Sequence, residues 1–471
     1  MKSHVTRRAV ITAAAVLSAP PALSLGRERP PNIVFILADD LGYADLACYG
    51  RPDIKTPHLD GLAAKGVRFL QAYANSPVCS ATRTALITGR YQYRLRLGLE
   101  EPLLNPRLDV GLPPEHPTLP SLLRKAGYQT MLIGKWHLGM LPLFGPEKSG
   151  YDHFYGFRGG AVDYYTHLAS NRKPDLWSGT TLVEQTGYLT ELLGDRAVAS
   201  IDAMAKARKP FLLSLHFSAP HWPWEAPGDS QESDRLREKS LFHFDGGTQD
   251  TYRRMVQSLD DQVGRVLAAL DTNGLSQDTI VVFTSDNGGE RFSNTWPFTG
   301  RKTELLEGGL RIPAIVSWPS RLPQGVTNDQ VSVSMDWMPT LLAAAGAKPD
   351  PRFPSDGVDL MAQLRGAAPI QRKLFWRYKT NAQRAMRDGD FKYLKIMDNT
   401  FLFNVVEDPM ERANLKDRRK DVYDRMNDEW RAWNAAMLPE IDDSYVENFS
   451  ADQLADHIGS GKPSSKASPV N

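Results

Sequence analysis

Four short runs of apolar residues, rich in β-branched side chains, recur along the chain, and a cluster of polar residues follows each of them. Continuous apolar runs of this length are typical of strands that are buried on both faces, as in a parallel sheet. The runs occupy residues 31–38, 128–134, 211–217 and 279–284. Because the carboxyl ends of parallel strands lie at one edge of a sheet, where ligands bind in open α/β sheets, we expect the four polar clusters to form one site.

Apolar residues at helical spacing lie between these runs and predict helices that cover the sheet. The clearest stripe runs from Met255 to Leu270 and ends near Gly274, and two others lie at residues 119–123 and 189–204. Strands that alternate with helices predict an α/β fold with a large, mostly parallel mixed sheet flanked by helices. Hydrophobic residues make up 41% of the 471 residues, which is enough to fill such a core.

The pattern changes after about residue 370. Strand candidates lie at residues 374–379, 384–386, 391–396 and 400–405. One amphipathic helix around Met426 and Trp430 follows them. We therefore predict a main domain over 31–350 and a small C-terminal α+β subdomain with an antiparallel sheet over 370–440. The Ser/Lys/Pro/Gly-rich residues 459–471 predict a disordered tail.

The N-terminal residues have the composition of an export signal. Arg7 and Arg8 precede the apolar stretch 9–19, and prolines and small residues follow it. We therefore predict a twin-arginine signal peptide over residues 1–26 and a bacterial protein that is periplasmic or secreted. A membrane anchor is the weaker alternative, because the stretch is too short to cross a bilayer. The formal net charge of +1 gives a nucleic-acid partner no electrostatic support.

The segment that starts at Cys79 predicts a short helix. Ser80 and Thr82 are residue types that cap helix N-termini, and Gly89 is the type that ends a helix. Cys79 would then lie at the positive end of the helix, and Arg83 would face the same way one turn later. A thiol and a guanidinium there suit a tetrahedral oxyanion. The ordinary alternative is a buried cysteine that packs as a small hydrophobic residue.

Two pairs of oxygen-bearing side chains follow two of the apolar runs. Asp39 and Asp40 follow the first run, and Asp286 and Asn287 follow the fourth. Oxygen ligands without sulfur suit calcium or magnesium better than zinc. Each pair alone is also common in ordinary turns. Because each pair follows a buried strand, and because acidic groups from two strand ends would repel one another without a cation, we favour a metal site.

Four further residues supply positive charge and proton-transfer capacity. Lysines near the oxyanion would hold its charge, and histidines can take or give a proton near neutral pH. Each also has an ordinary interpretation as a solvated surface charge or a loop histidine. The four residues are Lys135, His137, His221 and Lys302.

Two smaller groups are candidates for contacts with a substrate. Asp163 and His167 lie in a glycine- and tyrosine-rich segment and are candidates for lining the pocket. Trp222, Trp224 and Trp296 are candidates for stacking on a ring, and core packing is the alternative for all three.

Together these segments resemble the formylglycine-dependent sulfatases of the alkaline-phosphatase-like superfamily, in the branch that contains arylsulfatase A and the N-acetylgalactosamine-6-sulfatases. The resemblance covers about residues 31–415 and rests on motifs that are weak alone and specific together. They lie at residues 32–34 with 39–40, 79–83 with 88–90, 134–139, 219–221, 285–288, 300–302 with 308–313, and 408–415. Ala81 stands where the family motif commonly has proline, and alanine is a known variant there.

The resemblance implies an alkaline-phosphatase-like fold and hydrolysis of sulfuric esters. A maturation enzyme would oxidise Cys79 to formylglycine, and one hydroxyl of its hydrate would attack sulfur. His221 or Lys302 would give a proton to the departing alcohol. His137 would deprotonate the second hydroxyl, which would expel sulfate and restore the aldehyde.

The resemblance also implies the remaining parts of the site. Arg83 and Lys135 would orient the diol, and the two oxygen-bearing pairs would hold one calcium ion per chain. The substrate would be a small sulfated carbohydrate or an aryl sulfate. Two alternatives stay open at this point: a phosphate or phosphonate monoester hydrolase of the same superfamily, and a non-catalytic binder of sulfated glycans with Cys79 left unconverted.

Overall fold

A ten-stranded mixed sheet and a separate four-stranded antiparallel sheet contain most of the strands of the computed structural model, which describes residues 1, 29–104, 107–243 and 245–447. The strands are β1 (Asn32–Ala38), β2 (Val67–Phe69), β3 (Ala72–Tyr73), β4 (Gln129–Lys135), β5 (His153–Phe157), β6 (Trp177–Ser178), β7 (Thr181–Leu182), β8 (Phe211–His216), β9 (Thr279–Ser285), β10 (Ala314–Ser317), β11 (Val326–Asn328), β12 (Ser332–Val333), β13 (Lys373–Tyr378), β14 (Gln383–Asp388), β15 (Phe391–Ile396) and β16 (Asn399–Asn404). The helices are α1 (Pro57–Ala64), α2 (Cys79–Thr88), α3 (Leu119–Lys125), α4 (Leu189–Ala207), α5 (Ser230–Leu236), α6 (Gln249–Thr272), α7 (Glu307–Leu310), α8 (Trp337–Ala345), α9 (Met361–Leu364) and α10 (Lys420–Ala435).

The four apolar runs of the sequence form four neighbouring strands at the centre of the large sheet. The strand order is β11-β2-β10-β9-β1-β8-β4-β5-β6-β7. Strand β1 pairs in parallel with β8 and β9, and β4 pairs in parallel with β8 and β5. Strand β10 is antiparallel to both of its neighbours. The predicted large, mostly parallel mixed sheet is therefore confirmed.

Helices cover both faces of this sheet, which explains why its central strands are largely apolar and do not alternate between apolar and polar residues. In β1, Val34 and Ile36 belong to the core beneath α1, α4 and α6. Ile33, Phe35 and Leu37 belong to the opposite core, which α2, α3 and α8 complete. Successive side chains of a strand point to opposite faces, so one strand serves two cores.

The small C-terminal subdomain predicted from the sequence is also confirmed. Strands β13 to β16 form an antiparallel sheet in sequence order, and α10 contacts β14 and β15. The sheet packs on the main domain through Trp376, whose indole N–H donates to Ala74 O at 2.9 Å. The Tyr93 hydroxyl donates to Arg377 O at the same junction.

The predicted signal peptide, apart from its first residue, and the predicted disordered tail lie outside the described residues. Within the described ranges, none of the helices combines the length and the apolar character that a membrane crossing requires.

Candidate active site

The polar residues that follow β1 and β9 meet at one edge of the sheet. The backbone N–H of Asp40 donates to Asp286 Oδ1 at 3.3 Å, and Asn287 Nδ2 donates to Asp40 Oδ1 at 2.7 Å. Asp40 has a φ of 59°, in the left-handed region that non-glycine residues seldom adopt. The chain therefore turns sharply at the end of β1, and both oxygen-bearing pairs lie together, as the strand order requires.

Cys79 is the first residue of α2 and is 2% exposed. Arg83, one turn later, donates from Nε to Asp286 Oδ2 at 3.0 Å and places Nη2 3.7 Å from Asp39 Oδ2. Gly89 ends the helix with a φ of 65°, as its residue type predicts. The helix thus presents its first residue and its arginine to the acidic cluster at the sheet edge.

The predicted capping of this helix is wrong. Its N-cap residue is Val78, which offers no side-chain acceptor. Ser80 Oγ instead accepts from the Leu103 backbone N–H at 2.7 Å, and Thr82 Oγ1 accepts from the Ser76 N–H at 2.9 Å. The Ser80 hydroxyl is thus taken by a segment that follows the helix, and the Thr82 hydroxyl by the loop that precedes it, so the open N–H groups of the first turn lack these side-chain partners.

The acidic cluster has the chemistry of a site for a hard cation. Ligand atoms of Asp39, Asp286 and Cys79 lie within 4.8 Å of one another, as do those of Asp39, Asp40 and His221. Asp39 Oδ1 and Asn287 Oδ1 are buried, and neither has a hydrogen-bond partner among the described residues. Buried oxygens without partners are costly unless a cation satisfies them, so these residues fit a hard divalent cation.

Burial and the mutual repulsion of the carboxylates shift the pKa values in this cluster. Burial, together with the charge of Asp39, raises the pKa of Asp286 to about 7. Burial also acts to raise the pKa of Asp40, but the positive charge of the adjacent Lys302 overcomes it and holds the pKa well below its usual range. A divalent cation would relieve the repulsion that keeps Asp286 a weak acid.

Two lysines reach the cluster from other segments. Lys135, the last residue of β4, lies with Nζ 2.5 Å from Asp39 Oδ2, and Lys302 Nζ donates to Asp40 Oδ2 at 2.8 Å. Lys302 also lies 3.5 Å from Glu290 Oε2. Burial acts to lower the pKa of Lys302, but Asp40 and then Glu290 raise it well above the usual value. Lys302 is therefore a cation held among carboxylates.

Both candidate histidines are buried and neutral. Burial, and next the charge of Lys135, lowers the pKa of His137 well below its usual value. His137 Nε2 lies 2.8 Å from Leu103 O, and its Nδ1 has no partner in the described ranges. Burial lowers the pKa of His221 as well, although Asp40 opposes it, and His221 Nε2 lies 3.6 Å from Asp40 Oδ2.

The thiol of Cys79 is a weak acid at this position. Burial raises its pKa to about 12, and the nearby charge of Lys135 only partly offsets that effect. A thiol with this pKa carries almost no thiolate at neutral pH, and the thiolate is the nucleophilic form of cysteine. Unmodified Cys79 is therefore unsuited to direct nucleophilic attack.

A cavity of about 210 Å³ opens directly over these groups. Cys79, His137, His221 and Lys302 line its catalytic end. The rest of its wall comes from residues 102–104, 159–161, 169–171, Trp222, Tyr445 and Glu447. The fold therefore brings a cysteine, two histidines and a lysine into contact with one cavity that opens to solvent.

Sequence reasoning missed part of this site. Glu290 was not a candidate although it lies beside Lys302, and only its position four residues after Asp286 hinted at it. Tyr445 and Glu447 belong to a C-terminal segment with no motif, so no signal in the sequence connected them with the cavity.

The structure does not bring Asp163 or His167 to the cavity wall. Asp163 Oδ1 accepts hydrogen bonds from the backbone N–H groups of Tyr165 and Thr166 and from Ser233 Oγ, and so organises its own turn. His167 is buried within the same turn, whose backbone it closes with an N–H bond to Asp163 O.

The three tryptophans fall into different environments. Trp222 lines the cavity. Trp224 is buried, stacks on His243 and lies under the guanidinium of Arg291, as a core residue would. Trp296 is 64% exposed. Of the three, Trp222 is therefore the residue placed to touch a ring in the cavity.

Comparison with known proteins gives concordant matches. A family model described as Sulfatase matches residues 31–347. N-acetylgalactosamine-6-sulfatase of Mus musculus is 33% identical over 399 residues, which cover 80% of this chain and 74% of the relative. Arylsulfatase A of Homo sapiens is 34% identical over 402 residues, which cover 79% and 76%. The crystal structure of Ps i-CgsB in complex with k-i-k-neocarrahexaose is similar with a TM-score of 0.80 at 30% identity, over 92% of this chain and 98% of that one.

Proposed function

This chain belongs to the sulfatase family and is a sulfuric-ester hydrolase, and from that premise we propose that it is an exported enzyme that uses formylglycine at position 79 and one calcium ion to remove sulfate from a sulfated carbohydrate or an aryl sulfate. The observation that carries this proposal is the meeting of Cys79 with Asp39 and Asp286 at the start of α2, where their ligand atoms lie within 4.8 Å of one another.

Modification of Cys79 would replace a thiol that is a poor nucleophile at neutral pH. Formylglycine, made by a maturation enzyme, would supply a hydrated aldehyde whose hydroxyl attacks sulfur and whose second hydroxyl later releases sulfate. Arg83 and Lys135 hold their positive charges beside Asp39, next to position 79, and so orient the group there and stabilise negative charge that develops on it.

The two proton-transfer roles can be divided by charge. His137 lines the cavity in its neutral form, so it is available to accept a proton from position 79. Lys302 lines the same cavity and stays protonated, whereas His221 is neutral. We therefore assign donation of a proton to the departing alcohol to Lys302, with His221 as a neutral neighbour at the same end of the cavity.

The residues that would hold calcium are the two oxygen-bearing pairs at the ends of β1 and β9. Calcium would polarise the sulfate group and neutralise charge in the acidic cluster. The buried, unpartnered oxygens of Asp39 and Asn287 support this assignment, and so does the absence of sulfur ligands other than Cys79 from the candidate clusters within the described part of the chain.

The names of the relatives favour a sugar as substrate, and the size of the cavity is compatible with one. A volume of about 210 Å³ suits one sulfated sugar unit or one aryl group. One relative is named for a sulfated amino sugar, and one similar structure holds a neocarrahexaose.

The twin arginine of residues 7 and 8 supports export of the mature enzyme.

The intact mass of the purified enzyme tests the central step. We expect the mature protein, produced with a formylglycine-generating enzyme, to show the mass of formylglycine at position 79 and to release sulfate from nitrophenyl sulfate. Cys79→Ala should show neither. Cys48→Ala is the matched control, because Cys48 is the other cysteine and lies away from the cavity lining. Active enzyme with an unmodified Cys79 thiol would overturn the proposal.

Two further outcomes would redirect the assignment. Faster turnover of nitrophenyl phosphate than of nitrophenyl sulfate would indicate a phosphate monoester hydrolase of the same superfamily. Retention of a sulfated glycan without release of sulfate, unaffected by Cys79→Ala, would indicate a binding protein.

A further inference from the structure

The last described segment of the chain closes one side of the catalytic cavity. Tyr445 and Glu447 line the cavity together with Cys79 and Lys302. The backbone N–H of Glu447 donates to Glu101 O at 2.7 Å, and its carbonyl accepts from the Tyr378 hydroxyl at 3.4 Å. The neighbouring Val446 bridges to Glu101. The backbone of Glu447 is thus held at both its N–H and its carbonyl group, which fixes where the residue meets the cavity.

One oxygen of the Glu447 carboxylate is left free to accept a hydrogen bond from a ligand. Its Oε2 atom is buried and has no hydrogen-bond partner among the described residues. The carboxylate contributes to the charge around Lys302, since Glu447 follows Asp40 and Glu290 among the groups that raise the pKa of Lys302. A buried acceptor without a partner is costly, and such groups at a cavity wall are typically satisfied by a ligand or by water.

An ionised carboxylate only accepts hydrogen bonds and repels other anions. A sulfate monoester bound at the calcium end would leave the rest of its sugar ring in the remainder of the cavity, where Glu447 is. A hydroxyl or amide N–H on that ring would satisfy Oε2. A second sulfate or a carboxylate on the ring would meet like charge in a partly buried site.

We propose that Glu447 is a specificity-determining residue, which accepts a hydrogen bond from a hydroxyl or N–H of the sugar ring and selects rings with a single sulfate over rings with a second anionic group. This inference rests on the proposed function and deepens it. It predicts a preference for a monosulfated, otherwise neutral sugar over both a disulfated sugar and a hydroxyl-free aryl sulfate.

The test compares substrates that do and do not offer the donor. The kcat/KM of Glu447→Ala and Glu447→Gln is measured on a monosulfated N-acetylgalactosamine, its disulfated counterpart and nitrophenyl sulfate. A hydrogen bond to a charged group contributes enough for about a tenfold to hundredfold change. We therefore expect the ratio of kcat/KM for the monosulfated sugar to that for nitrophenyl sulfate to fall about tenfold or more in Glu447→Ala.

Removal of the charge gives a second readout, which a merely structural role would not move. Glu447→Gln keeps the size of the side chain and an acceptor oxygen but removes the negative charge. The kcat/KM for the disulfated sugar should therefore rise relative to the kcat/KM for the monosulfated one. Glu238→Gln, on an exposed surface glutamate, is the matched control and should change neither ratio. The melting temperature of each variant checks that it folds.

The outcomes separate this inference from the proposed function. A fall of about threefold or more in the first ratio, with a gain for the disulfated sugar in Glu447→Gln, supports the inference. Ratios that stay within about threefold of the wild type overturn it, even when the wild-type enzyme is an active sulfatase. Absence of turnover of every sulfate ester by the wild type would instead overturn the proposed function.

Discussion

Lys302 Nζ donates a hydrogen bond to Asp40 Oδ2 at 2.8 Å, although 262 positions separate the two residues in the chain. The contact joins the loop that precedes α7 to the end of β1, and both side chains are buried. Lys302 also lines the cavity. One cation therefore contacts a candidate metal ligand and the space where the substrate would bind, which places it to deliver a proton at the boundary between them.

Lys302→Met should lower kcat by about a hundredfold to ten-thousandfold for a sulfated sugar, because a sugar alkoxide leaves poorly without a proton. The loss for nitrophenyl sulfate should be much smaller, since nitrophenolate is a good leaving group. Steady-state kinetics on both substrates measures the difference. Lys55→Met, at an exposed lysine, is the control. An equal loss on both substrates would show that Lys302 acts by positioning Asp40 instead.

Removal of calcium by a chelator should abolish turnover and lower the melting temperature, and added calcium should restore both. Calcium at about a hundred times its Kd would stabilise the fold by about 2.7 kcal/mol, because it binds only the folded site. Asn287→Ala should reduce the rise in melting temperature that added calcium produces. Asp261→Asn, at an exposed residue of the separate cluster of His58, Asp260 and Asp261, should leave the effect of calcium unchanged. Full activity after exhaustive chelation would contradict the calcium assignment.

Lys392 joins the two domains at a buried ionic cluster. Its Nζ lies 3.0 Å from Glu307 Oε1 and 2.9 Å from Glu411 Oε1, and all three side chains are fully buried. Lys392→Met should lower the free energy of unfolding by about 3–5 kcal/mol, because it leaves the buried Glu411 without its counter-charge, whereas Glu307 keeps its ion pair with Arg311.

Urea unfolding measures this loss, and Lys392→Met combined with Glu411→Gln should recover part of it. Lys420→Met, which removes an exposed pair with Asp424, is the control and should leave stability unchanged. A loss as small as that of the control would show that the cluster does not hold the domains together.

Glu225 makes stability depend on pH. Burial, and next the charge of Asp163, raises its pKa to about 9 in the folded protein. Since the folded pKa lies above the unfolded one, this group contributes stability below the unfolded pKa, and that contribution is lost as pH rises toward 9. The free energy of unfolding should therefore fall more between about pH 5 and pH 8 in the wild type than in Glu225→Gln.

Urea unfolding at the two pH values gives this difference directly. Glu238→Gln, at an exposed position, should follow the wild type. The same pH dependence in the wild type and in Glu225→Gln would show that Glu225 is not protonated in the folded state.

Much of the candidate site follows from local sequence. Asp39 and Asp286 each come directly after a buried apolar run, and the parallel order of β1 and β9 brings them together. Capping by Ser80 failed as a prediction because Leu103, a residue distant in the chain, takes its hydroxyl. The capping preference of a residue type describes its average local behaviour. A hydrogen bond from a residue that is distant in the chain can override that preference.

Local patterning by itself determined the two-sided strands, the covering helices and the chemistry at the strand ends, because burial on both faces of a strand leaves an unbroken apolar run, and burial of one face of a helix leaves a helical periodicity. Only the tertiary structure decided that Glu290 and Glu447 stand beside Lys302 and the cavity. Such contacts depend on the path of the whole chain, and no short-range sequence pattern indicates which distant segment will line the cavity.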